Sequence, residues 1–146
     1  MSELDEFLAG ERLDDVVIFV SNVFLDADSR LRDVGTETDD GVRVVVDGES
    51  GRAAFEAGTG MEAMGFARQA MNAEGDIDRA LDGGECPRAE AAPGEEHAVE
   101  FVFAFAEAEN PEVGGLYAEG DVVHAYAHCA CGHDYSHKWV VGTRRD

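Results

Sequence analysis

The sequence predicts an α+β fold: a mixed sheet ending in a three-stranded antiparallel meander, with helices on one face. Three observations carry this. Bounded runs of β-branched and aromatic residues recur at Val16 to Val20, Val42 to Val46 and Ala98 to Ala106. Apolar residues at helical spacing are confined to the first half of the chain. The last thirty residues alternate between short strand-like segments and a tight turn, which is the pattern of hairpins. At 146 residues, 45% of them apolar, the chain reads as a single domain, 1–146, that buries about two thirds of its unfolded surface without help from disulfides.

In chain order, Ser2 to Ala9 is expected to form a short helix capped by Ser2 and stopped by Gly10. Asp15 to Val20 reads as a buried strand. Asp28 and Ser29 can cap one helical turn through Val34, and Thr36 to Gly41 reads as an exposed loop. Val42 to Val46 is a second strand, leaving at Asp47-Gly48 into a helix begun by an N-cap serine at Ser50. Gly48-Glu49-Ser50-Gly51 lacks the spacing of a nucleophile elbow. Gly58-Thr59-Gly60 ends that helix, and Thr59 with Glu62 is expected to box the next, Met61 to Ala73. There Met61, Met64, Phe66, Ala67, Ala70 and Met71 form a stripe best read as core packing, not as a copper site. Asn72 to Glu96 is acidic and glycine-rich, and is read as a long surface loop, flexible over about 74–97, with a helical turn near Ile77 to Leu81. Ala98 to Ala106 has apolar residues on both faces, as expected of a covered central strand. Asp121 to Cys129 and Tyr135 to Val141 complete the meander.

The chemistry concentrates at positions 124 to 137, which hold four of the five histidines and two of the three cysteines. Cys129-Ala130-Cys131-Gly132 resembles half of a zinc knuckle, two thiolates on a tight turn followed by a glycine, although the usual spacing is Cys-x2-Cys. A tetrahedral ion needs further ligands. The set expected is Cys129 and Cys131, with Cys86 reaching across from its loop and His133 or His137 completing it, so zinc is the cofactor implied. The alternatives are free thiols beside surface histidines, or a redox-active thiol pair.

A second expectation depends on register. If the turn is Ala130 to His133 with Cys129 opposite Asp134, then Tyr126 pairs with His137, His128 with Tyr135 and His124 with Trp139. These six would share one face, giving a binding face of His124, Tyr126, His128, Tyr135 and Trp139. A one-residue slip would scatter them.

Composition adds a solvent argument. The net charge is -21, and Lys138 is the only lysine among the 11 bases. Residues 115–146 hold only 4 of the 32 carboxylates and 3 of the bases, so the acidity is spread over the rest of the chain. That pattern suits a protein kept hydrated in molar salt, where self-repulsion is screened over roughly 3 Å at 1 M. The N-terminus has neither a basic region nor an apolar core, so no signal peptide is expected. The longest apolar run is far short of the roughly 20 residues that span a membrane. The expectation is a cytoplasmic protein without a membrane partner.

The segments MSELDEFLAG (1–10), TGMEAMGFAR (59–68), GGLYAEGDV (114–122) and HCACGxxYSHKWVV (128–141) together resemble a family of small acidic haloarchaeal proteins of unknown function. The resemblance implies a cytoplasmic, salt-adapted protein and transfers no catalytic role. Three functions follow from the residues. The first is a non-catalytic interaction module for a protein partner, its C-terminal hairpin fixed by zinc. The second is a single-stranded nucleic-acid binder that stacks bases on Tyr126, Tyr135 and Trp139. The third is a small metal or thiol enzyme, for which the His-Glu-x-x-His and deaminase spacings are missing.

Overall fold

The computed structural model describes residues 6–7, 14–22, 35–38, 41–78, 81, 84–87, 99–107, 112, 114–115 and 120–142. Of the helix expected over Ser2 to Ala9, Glu6 and Phe7 are described and are helical. The turn expected at Asp28 to Val34 lies outside the described residues.

The apolar runs form the strands predicted for them. β1 (Asp15–Ser21), β3 (Gly41–Asp47), β6 (Val99–Glu107), β7 (Asp121–Cys129) and β8 (Asp134–Gly142) join the two-residue β2 (Thr36–Glu37) in a six-stranded sheet, ordered β2-β3-β1-β6-β7-β8. Every strand pairing in it is antiparallel; among the described residues the one parallel pairing is the isolated bridge between Glu74 and Ser136. The fold is α+β and contains the β6-β7-β8 meander. Thr36 and Glu37, expected in a loop, extend the sheet past β3 as an exposed edge.

Because β1 is apolar at every position from Val16 to Val20, it feeds a core on both faces. Val16, Ile18 and Val20 pack with Phe101, Phe103 and Tyr126 under α1 (Gly48–Thr59) and α2 (Ala63–Ala70), which lie on the same face. Val17 and Phe19 pack with Val102, Ala104, Ala125 and Ala127 on the other, beneath Phe7, Ile77, Leu81 and Cys86. β6 divides its residues as the alternation requires, except at its start. A bulge between Val99 and Phe101 turns Val99 to the face opposite the phenylalanines.

The helix termini differ from expectation in their capping residues. Asp47 caps α1 by accepting from the Ser50 N–H at 3.0 Å, so Ser50 supplies the capped amide and is not the cap. A carboxylate there also meets the positive end of the helix dipole, and this lowers the Asp47 pKa through its bonds to Ser50. Gly60, at φ 77°, closes α1. Thr59 forms no box with Glu62: its hydroxyl donates back to the Phe55 carbonyl at 2.7 Å and accepts from the Met61 N–H at 3.2 Å, and α2 starts at Ala63 without a side-chain cap. α2 buries Phe66, Ala67 and Ala70, while Met64 and Met71 are 42% and 63% exposed. Of the methionines predicted to fill the core, Met61 packs partly buried against it, whereas Met64 falls on the face of α2 away from Ala63, Phe66, Ala67 and Ala70 and Met71 is the C-cap. Phe55 anchors the helix layer, its ring centroid 5.3 to 5.4 Å from those of Phe66, Phe101 and Phe103.

Candidate metal centre

The hairpin between β7 and β8 is closed by a three-residue loop. The Gly132 N–H donates to the Cys129 carbonyl at 2.8 Å and the Cys129 N–H to the His133 carbonyl at 3.0 Å. Gly132 sits at φ 91°, a left-handed conformation that an L side chain adopts only under strain. A three-residue loop ending in such a glycine is a standard hairpin closure. It sets Asp134 opposite His128, Tyr135 opposite Ala127 and Ser136 opposite Tyr126. The register expected from a four-residue turn is therefore wrong by one from Asp134 to Val140, and the side chains of β8 there move to the other face.

The predicted binding face does not form. His124, Tyr126 and His128 point toward the helices, whereas Tyr135 and Trp139 join the opposite core. Tyr126, Tyr135 and Trp139 are 3%, 0% and 4% exposed, so they offer no platform on which bases could stack. His128 instead ties elements together. It stacks on Phe101 and hydrogen-bonds the buried Asp134 carboxylate. Gln69 of α2 donates to that carboxylate at 2.7 Å, and Glu100 lies 3.5 Å from the other ring nitrogen. His124 lies 3.1 Å from Glu107; burial lowers its pKa against the opposing pull of that carboxylate. His124, Tyr126, Ser136 and Lys138 line a groove of about 570 Å³ along β8.

Cys86 arrives by a route around the β8 edge. After α2, Ser136 donates through both its amide and its hydroxyl to the Ala73 carbonyl, each at 2.9 Å, and the Gly75 N–H donates to Ser136. The chain crosses to the face opposite the helices, where β4 (Asp76–Ile77) and β5 (Gly84–Glu85) pair as a small hairpin. His137 Nδ1 accepts from the Ile77 N–H at 3.1 Å and holds β4 down. Leu81 is fully buried at φ 61°; burying a leucine side chain contributes about 1.5–3 kcal/mol, enough to offset a left-handed penalty of roughly 1–2 kcal/mol. Part of the stretch read as a surface loop is thus structured, while residues 88–98 lie outside the described residues.

Two glycines let this flap sit close. A Cβ on Gly75 would come within 2.5 Å of the Tyr135 ring, and one on Gly84 within 2.4 Å of the Asp76 carbonyl. The result places Cys86, directly after β5, against the β7-β8 turn. The sulfurs of Cys86, Cys129 and Cys131 all lie within 4.8 Å of one another, with Cys86 and Cys131 at 3.8 Å. None of the three is in a disulfide. A tetrahedral zinc with Zn–S bonds of about 2.3 Å holds any two thiolates about 3.8 Å apart, so the donor set and spacing fit a soft divalent ion.

Cys86 and Cys129 are buried and Cys131 is half-buried. Burial first, then the neighbouring thiols, push the Cys129 pKa up to about 11. A divalent cation reverses that penalty by stabilising the thiolates. His133 and His137, expected as alternative fourth ligands, stand outside the three-sulfur group among the described residues. His133 stacks beside Tyr135 with ring centroids 6.4 Å apart, and the His137 ring is engaged by β4. The Tyr135 hydroxyl is buried with no hydrogen-bond partner among the described residues, a state that costs about 1–3 kcal/mol. Sequence reasoning missed it because nothing in the chain's pattern shows which buried hydroxyl goes unpaired.

Among the described residues, no helix is long and apolar enough to cross a membrane. The chain matches no curated protein and no solved structure. Residues 35–142, from the start of β2 to the end of β8 and including all three cysteines, match a family of unknown function, DUF5807, and the chain belongs to that family.

Proposed function

We propose that the protein is a salt-adapted, cytoplasmic, non-catalytic interaction module whose C-terminal hairpin is fixed by a structural zinc ion held by Cys86, Cys129 and Cys131, with a fourth ligand from outside this three-sulfur group. The observation that supports this best is the convergence of three thiols from two distant stretches of chain within 4.8 Å of one another, with Cys86 and Cys131 3.8 Å apart, the spacing of two zinc-bound thiolates. Zinc there ties the β4-β5 flap to the β7-β8 turn. Its binding energy adds directly to the stability of the folded state. Met64 and Met71, exposed on α2, supply adaptable apolar contacts of the kind a protein partner covers. The acidic surface, net -21, supports the solvation role in concentrated salt.

Metal analysis of protein purified without chelator tests the reading. About one equivalent of zinc per chain is expected, with a large loss of thermal stability on its removal. Less than about 0.3 equivalents, unchanged after reconstitution, would refute it.

A further inference from the structure

The Tyr135 hydroxyl sits beside the thiols. On the sheet face opposite the helices, Tyr135 pairs with Ala127. Cys129 is two residues further along β7, which makes it the diagonal neighbour of Tyr135 on the same face. From the flap side, a Cβ on Gly84, two residues before Cys86, would stand 3.2 Å from the hydroxyl oxygen. Cys129 and Cys86 are the first electrostatic neighbours of the phenol, ahead of Asp78 and Asp76. The residue is 0% exposed and its oxygen has no hydrogen-bond partner among the described residues.

A phenol is a good donor, a protonated thiol a weak acceptor, and a metal-bound thiolate a strong one. We propose, resting on the zinc reading above, that Tyr135 is a positioning residue of the metal site. Its hydroxyl donates to the Cys129 thiolate once the ion is bound. Hydrogen bonds of this outer kind orient ligands and tune affinity.

Tyr135→Phe removes one oxygen and tests the assignment by separating two readouts. Zinc affinity, measured by competition with a chromophoric chelator, is expected to fall about 10- to 100-fold. The metal-free variant is expected to unfold at the same temperature as the metal-free parent or higher, since an unpaired oxygen has been removed. The cobalt-substituted variant should show a shifted thiolate-to-metal charge-transfer band. An affinity within about twofold of the parent overturns the role of Tyr135 while leaving the zinc site standing. A metal-free variant that no longer folds also overturns it, because it assigns the hydroxyl a purely structural duty. A parent protein that takes up no zinc overturns both readings together.

Discussion

Cys129 shows at the scale of one residue how burial and metal binding are linked. Its thiol has a folded pKa of about 11 against an ordinary 9.0, so the metal-free fold holds its proton more tightly than the unfolded chain. The sign follows: this group's contribution to stability is complete below pH 9.0 and is lost as pH rises toward 11. Metal-free protein should therefore unfold progressively more easily over that window, and Cys129→Ala should flatten the trend in thermal melts. An unchanged slope in Cys129→Ala would place the cause elsewhere. The residue types of the site were legible in the sequence. Cys86 in a polar loop already asked for a tether, and the turn cysteines offered one. The histidines were misjudged because identity alone does not reveal competing partners. The Ile77 amide occupies His137, and Asp134 occupies His128.

Among elements, the hairpin turn decides most. β1, β3, β6, β7 and β8 were readable because each has enough apolar or alternating residues to announce its period. β2, β4 and β5 have two residues each and no period to read; tertiary pairing alone makes them strands. The β7-β8 register was missed although its signal was present, since Gly132 in a Cys-x-Cys-Gly run favours a three-residue loop closed by a left-handed glycine. Gly132→Ala meets no steric obstacle but keeps the φ of 91°. It is expected to cost about 1–2 kcal/mol, the left-handed penalty of a residue with a Cβ, and to weaken zinc binding by loosening the turn. Chemical denaturation with and without zinc measures both effects. An Ala variant as stable as the parent would contradict the turn geometry.

For the whole molecule, charge and metal act on the same balance. A net charge of -21 on 146 residues makes self-repulsion a global cost in dilute buffer, which salt screens. The melting temperature should rise with KCl into the molar range, and greater or equal stability in low salt would contradict salt adaptation. The two-sided core explains why one small ion has so much to hold. The helix face is secured by aromatic packing, while the flap on the other face rests on two-residue strands, a few hydrogen bonds, the buried Ile77 and Leu81 side chains and three thiols. The most direct test is X-ray absorption at the zinc edge of the reconstituted protein. Three sulfur neighbours at about 2.3 Å are expected, reduced to two in Cys86→Ser. A first shell with fewer than three sulfurs in the parent protein, or one unchanged by Cys86→Ser, would contradict a metal site that joins the flap to the hairpin.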